Sequence, residues 1–245
     1  MNIVYLVHRT WSLDILLGLV DAQKNKNWKV GLVFSPLGEF GPLPISCAKH
    51  NEIDPLKLEN HIEEIKSAEP TVIITFGWSW IIPKSILDIA PCLVLHPSPL
   101  PKGRGGSPIQ NQLLEGIKES AVTIISAAEE IDSGDIFAQE PISFEGYLDD
   151  IFMRIADTGL KLTIPLMDQF SQGNAKGTTQ DHSLATHYVR RKPEMSEITI
   201  SEIQTQPAEY LYNKVRGLQE PYPKAFIVCA DGKKLYISTA NLEEN

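Results

Sequence analysis

Cysteine is scarce in this chain of 245 residues: Cys47, Cys92 and Cys229 are odd in number, far apart and without C-x-x-C spacing. That pattern signals neither a disulfide framework nor a zinc site, so the expectation is a cytoplasmic protein without a metal. Positive charge is short as well, with 22 Lys and Arg against 31 Asp and Glu and a formal net charge of -9. Nucleic-acid binders present a basic face that draws phosphates and releases counterions, so a large RNA partner is disfavoured, a local basic cluster aside. Long apolar runs are missing. The longest, TVIITFGWSWIIP (71–83), falls well below the roughly 20 residues that span a bilayer. The opening MNIVYLVHRTW carries no basic segment ahead of its apolar run, which reads as a soluble, unexported chain with no membrane partner. No internal repeat or low-complexity tract is visible.

What is present is a 42% hydrophobic composition, enough for the core of one large domain with or without a small appendage. Apolar runs of strand length alternate with segments of helical spacing. Strands are expected over 2–8, 28–35, 71–77 and 92–96. Helices are expected over SLDILLGLVDAQ with Ser12 as N-cap, KLENHIEEIKSA, PKSILDIA, and SPIQNQLLEGI from Pro108. Residues 36–54, rich in Pro and Gly, read as loop with a short helix. Two more strands, AVTIISA and DIFAQEPIS, and an amphipathic helix from Leu148 to Phe170 complete the pattern. The fold class is α/β: a Rossmann-like, mostly parallel sheet closed by a hairpin-like pair. The texture changes after QGNAKGTTQDHS. A boundary is expected at 185/186, between a catalytic domain of residues 1–185 and a small β-containing module of 186–245, with one helix (206–217) and two short strands around DGKK.

The stretch VLHPSPLPKGRGGSPIQN (94–111) concentrates the chemistry. His96 ends the strand CLVLH, and in open α/β sheets ligands bind at the carboxyl ends of strands. Pro97, Pro99 and Pro101 stiffen the following turn, while Gly103, Gly105 and Gly106 let backbone approach a ligand closely. A lone histidine at a strand end is more often satisfied by backbone than catalytic. The motifs around this one change that balance.

His96-Pro97-Ser98-Pro99-Leu100-Pro101, Arg104-Gly105, Pro108-Ile109-Gln110, Ala121-Val122-Thr123 and Asp132-Ser133-Gly134 follow one another in a specific order and spacing. Together they resemble the folate-dependent formyltransferase family. The likeness extends to FGWSWIIPKSIL (76–87), to RRKPE and to VRGLQEPYPKAF near the C-terminus. It implies a Rossmann-like formyltransferase domain using 10-formyltetrahydrofolate. The last two motifs, the acidic charge and the short C-terminal module look most like the enzymes that formylate nucleotide-linked amino sugars, which implies a homodimer acting in lipopolysaccharide O-antigen biosynthesis. The alternatives are a methionyl-tRNA formyltransferase and a degenerate folate or sugar-nucleotide binding module.

By that resemblance His96 is the acid/base and oxyanion partner, and Asp132 the carboxylate that orients its ring and favours its charged form. The family's asparagine two residues before the histidine is Val94 here, the loss of an oxyanion donor of the kind worth about 10² to 10³ in rate. Asn111 is the expected replacement, with Gln110 and Ser98 as alternatives. Trp80, Ile81 and Ile82 and the loop Ala128, Glu129, Glu130 and Ile131 are expected around the pterin, although WSWII reads equally as core packing. Lys102 and Arg104, with Arg190, Arg191 and Lys192, are candidates for a diphosphate or for solvated surface. Tyr222, between two prolines, either stacks on a nucleotide base or packs the small module onto the main domain. His182 and His187 read as surface residues.

Overall fold

The computed structural model describes residues 1–46 and 48–243; Cys47 and the last two residues of the expected C-terminal module lie outside them. In chain order the strands are β1 (Asn2–Leu6), β2 (Lys29–Pro36), β3 (Lys49–Ile53), β4 (Val72–Ile74), β5 (Cys92–His96), β6 (Arg104–Gly105), β7 (Glu119–Ser126), β8 (Ile136–Ser143), β9 (His187–Tyr188), β10 (Phe226–Val228) and β11 (Lys234–Tyr236). The α-helices are α1 (Thr10–Ala22), α2 (Ile62–Ser67), α3 (Lys84–Leu87), α4 (Pro108–Leu114), α5 (Leu148–Ser171), α6 (Ile200–Thr205) and α7 (Ala208–Gly217).

Seven strands form the main sheet in the order β3-β2-β1-β4-β5-β7-β8. The first five run parallel, and β7 and β8 add antiparallel pairs. This is the expected Rossmann-like architecture. β1 is an unbroken apolar run because both of its faces are covered. Ile3 and Tyr5 join α1 and α5 in one core, and Val4 and Leu6 face the helices α2 and α3 in a second. Each fully buried Leu or Ile contributes about 1.5–3 kcal/mol. Helices α1 and α5 meet closely at Gly159, where a Cβ would stand 2.7 Å from Ile15 Cδ1 and from Leu95 Cδ1.

Three expectations change. Ser12 is not an N-cap: α1 begins at Thr10, and Ser12 is buried in its first turn with Oγ donating to the Phe76 carbonyl at 2.5 Å. Residues 36–54 contain the edge strand β3, whose polar sequence KHNEI buries Ile53 alone and so shows no apolar period. The C-terminal module has two helices, because the capping box Thr199 to Glu202 starts α6 and Pro207 caps the start of α7. Residues 186–188 are bonded to the main domain, with Arg104 N to Thr186 O at 2.9 Å and Gly106 N to Tyr188 O at 3.1 Å. The module has its own core of Ile198, Val215, Leu218 and Ala225. Its hairpin, β10 with β11, forms around DGKK as expected.

Buried Arg216 latches the module to the sheet: Nη1 donates to the carbonyls of Phe144 (2.5 Å) and Gly146 (2.7 Å), and Nε to Asn213 Oδ1 at 2.7 Å. Among the described residues no helix is long and apolar enough to cross a membrane. Nor does any group of three or more His, Cys, Asp or Glu among them have the arrangement of a metal site.

Candidate active site

β5 carries His96 as its last residue, in register with Thr123 of β7. Side-chain donors then hold the proline-rich loop. Thr123 Oγ1 donates to the Ser98 carbonyl at 2.6 Å, Gln112 Nε2 to Pro97 O at 2.9 Å and Gln139 Nε2 to Leu100 O at 3.0 Å. The glycine turn follows, with φ of 76° at Gly103 and 96° at Gly105. A Cβ on Gly105 would stand 2.4 Å from the Tyr188 carbonyl oxygen, so β6 lies against β9 only because this residue is glycine.

The imidazole of His96 is buried, at 5% exposure, and its Nε2 lies 2.8 Å from the Gly103 carbonyl. A carbonyl only accepts, so Nε2 carries a proton and Nδ1 is the nitrogen left to exchange one. Nδ1 faces Asp132 Oδ2 at 3.4 Å. That same oxygen accepts from the Gly105 backbone N–H at 2.8 Å, which joins the glycine turn to the carboxylate. Asp132 Oδ1 has no hydrogen-bond partner among the described residues. Asp132 itself sits at φ 55°, and Gly134 beside it packs so tightly on Ser126 that a Cβ would fall 1.8 Å from the Ser126 carbonyl oxygen. A nitrogen able to take a proton and a free carboxylate oxygen thus sit side by side at the end of the parallel sheet.

The family models "Formyl transferase" and "Formyl transferase, C-terminal domain" match residues 41–163 and 197–245. The methionyl-tRNA formyltransferase of Campylobacter lari is 38% identical over 241 residues, covering 92% of this chain and 76% of that protein. The chain belongs to the formyl transferase family. The methionyl-tRNA formyltransferase of Moorella thermoacetica is 33% identical over 193 residues, and the match spans 77% of this chain but only 60% of that enzyme's length. Among solved structures, a methionyl-tRNA formyltransferase from Clostridium thermocellum superposes with a TM-score of 0.77 at 29% identity, covering 99% of this chain and 94% of that one. A 4-N formyltransferase from Francisella tularensis gives a TM-score of 0.78 at 17% identity, covering 100% and 98%, a likeness of fold alone.

In this formyl transferase fold the expected site residues separate into groups. His96 and Asp132 come together. Val94 shares the strand face of His96, two residues away, and brings no polar atom to it. Asn111, the expected replacement for the missing donor, has both Nδ2 hydrogens engaged, with the carbonyls of Gly106 (3.0 Å) and Val189 (3.1 Å). Gln110 Nε2 and Ser98 Oγ, the alternatives, are buried without a hydrogen-bond partner among the described residues. Arg104 is not a surface cation awaiting a phosphate. It is 1% exposed, and its guanidinium donates to Gln180 Oε1, His182 Nδ1 and Glu130 Oε1. Lys102 is exposed with no ion pair among the described residues, as are Arg190 and Lys192.

Tyr222 docks on the main domain rather than presenting an open platform. Its ring is 6.4 Å from that of Phe152, and the Arg9 guanidinium covers it at 5.4 Å. Trp80 packs beside Trp78 and His8, at ring distances of 5.2 and 4.7 Å, and Ile82 joins the second core. Ile81 is 89% exposed, and Ala128, Glu129, Glu130 and Ile131 form an exposed loop leading into Asp132.

Two sets of polar residues escaped the sequence reading. His8 follows β1 as His96 ends β5, at the point where strand order reverses between β1 and β4, and NIVYLVH carries the same signal as CLVLH. Its Nδ1 lies 3.0 Å from Ser79 Oγ and 3.1 Å from Gly77 O, and burial, aided by the Arg9 charge, holds its pKa below the usual histidine value. Gln180 and Thr186 belong to the polar stretch after α5. Thr186 Oγ1 accepts from Gly103 N at 2.8 Å, a contact that no local pattern announces.

Proposed function

We propose that this protein transfers the formyl group of 10-formyltetrahydrofolate to the primary amine of a nucleotide-linked amino sugar. The observation that carries the reaction class is the buried His96 and Asp132 pair above the glycine turn, in a chain of the formyl transferase family. The neutral amine attacks the formyl carbon, forming the new C–N bond and a tetrahedral oxyanion. Collapse breaks the bond to the folate nitrogen, which receives the proton the amine gives up. His96 Nδ1 and Asp132 Oδ1 are the two protein acceptors open to carry that proton, a role worth about 10² to 10⁴ in rate. The oxyanion donor that Val94 does not supply falls to Gln110 or Ser98, which follow His96 in α4 and the proline-rich loop and are two of the four buried donors without a partner among the described residues. The exposed apolar Ile81 and Ile131 are the side chains available to a pterin ring.

A small acceptor is favoured by the net charge of -9 and by the few unpaired cations near the glycine turn, Lys102, Arg190 and Lys192, which suit one diphosphate better than a tRNA. The second reading, initiator methionyl-tRNA as acceptor, is favoured by the relatives of 31–38% identity. The deciding experiment offers 10-formyltetrahydrofolate with a panel of nucleotide amino sugars and, separately, methionyl-tRNA. Turnover of a sugar that falls about 10²-fold or more in His96→Ala and Asp132→Asn supports the proposal. Turnover of methionyl-tRNA alone replaces it with the second reading, and wild-type rates in both variants reject the catalytic pair.

A further inference from the structure

The segment between α5 and the C-terminal module crosses both halves of the candidate site. Thr178 exchanges backbone bonds with Ile136 at 2.8 Å in each direction, and Thr186 and Tyr188 bond the glycine turn. Between them lies Gln180, 4% exposed, with all of its amide spent. Nε2 donates to the carbonyls of Asp132 (2.9 Å) and Gly134 (2.7 Å). Oε1 accepts from Arg104 Nε (3.1 Å) and Nη2 (2.8 Å). Arg104 is rigid in turn, because its backbone is in β6 and pairs with β9.

We propose that Gln180 is a positioning residue: tied to the buried Arg104, it holds the Asp132 turn so that the carboxylate faces His96. Asp132 needs such support because it lies at φ 55°, where residues with a side chain rarely stay unless the surroundings hold them. Satisfying the guanidinium alone would not call for glutamine, since a carboxylate would pair with Arg104 more strongly. The site asks for an oxygen that accepts from a cation at one end and two hydrogens for two carbonyls at the other, which a side-chain amide supplies. The consequence for chemistry rests on the formyl-transfer reading; the geometric claim does not.

The test compares Gln180→Met, which keeps the volume, and Gln180→Glu, which keeps an oxygen for Arg104 but turns the two donations into repulsive contacts between a carboxylate oxygen and the Asp132 and Gly134 carbonyls. Turnover should fall about tenfold to a hundredfold while KM for folate and acceptor stays within about twofold. In the double variant Gln180→Met/Asp132→Asn the rate should match Asp132→Asn alone within about twofold, because the two residues act through one carboxylate. Losses that multiply in the double variant overturn the proposal. A second readout needs no activity: in ¹⁵N-histidine-labelled protein, the His96 ring signals, identified by their loss in His96→Gln, should move in Gln180→Met in the direction they move in Asp132→Asn. Unmoved signals overturn the proposal. Moved signals in a protein that transfers no formyl group sustain the positioning and reject the function instead. Should Gln180→Met fail to fold, Gln180→Glu carries the same comparisons.

Discussion

Replacing Gly134 by alanine tests the Asp132 turn directly. The added Cβ would stand 1.8 Å from the Ser126 carbonyl oxygen and 2.7 Å from its carbon, where real contacts do not fall below 3.0 Å. The obstacle is backbone at the end of β7, so no side-chain rotation relieves it, and the turn must retreat by about 1.2 Å, the difference between 3.0 and 1.8 Å. Two hydrogen bonds cross that gap, Ser126 N to Asp135 O at 3.0 Å and Asp135 N to Ser126 Oγ at 3.0 Å, and a third, Gln180 Nε2 to Gly134 O at 2.7 Å, holds the turn from another segment. At about 1 kcal/mol each their loss costs about 3 kcal/mol. In a protein of this size each kcal/mol moves Tm by about 2–4 °C, so the melting temperature should drop by about 6–12 °C. If Asp132 has the proposed role, turnover should fall by about 10², because a carboxylate displaced by more than about 1 Å no longer meets its partner. Calorimetry and a formyl-transfer assay on Gly134→Ala, with Gly31→Ala as the control, measure both quantities. Gly31 has nothing within 4 Å of the position a Cβ would take, so its variant should behave as wild type. A Gly134→Ala protein with unchanged Tm and turnover would falsify the packing argument and the placement of Asp132 together.

Asn111→Ala removes two donations to backbone carbonyls and should cost about 1–2 kcal/mol in a denaturant titration. Its turnover should stay within about threefold, whereas a loss near the 10² expected of an oxyanion donor, at unchanged stability, would return Asn111 to the reaction. Arg216→Met strips the latch from the carbonyls of Phe144 and Gly146 and should lower stability by about 3–5 kcal/mol, read as the calorimetric midpoint; a shift below about 1 kcal/mol would mean that apolar packing alone seats the module. Burial pushes the Cys92 thiol from 9.0 up to about 12, partly offset by a bond with Thr75. Below pH 9 folded and unfolded chains both hold this proton, and above it the unfolded chain alone releases it. Stability should therefore fall as pH rises from about 9 towards 12, by up to about 1.4 kcal/mol per unit. Urea midpoints should show a shallower decline in Cys92→Ala, and an equal slope in variant and wild type would count against the buried-thiol origin.

Burial on both faces forces β1 and β5 to be apolar runs, so these strands are legible in NIVYLVH and CLVLH without any knowledge of their neighbours. The same holds for α5, whose buried Ile151, Ile155 and Ala156 recur at helical spacing. His96 and Asp132 were legible for another reason. His96 was marked by its place at the end of an apolar strand before a turn rich in proline and glycine, and the role of both residues was read through the resemblance to the formyltransferase family. Edge strand β3 and the pairing of β6 with β9 left no such trace, since a strand that buries a single residue has no obligatory period.

What each polar side chain does was a matter for the tertiary structure. The sequence established that Arg104 is a cation, Asn111 a donor and Gln180 both donor and acceptor. It could not say that Arg104 would be buried against a residue 76 positions away, that Asn111 would be consumed by the carbonyls of Gly106 and Val189, or that Gln180 would support Asp132. Apolar periodicity reports burial because burial acts on every residue of an element at once. A hydrogen bond is chosen by the single partner that folding brings within about 3 Å, and for Arg104, Gln180 and one of the two Asn111 donations that partner lies in a distant part of the chain.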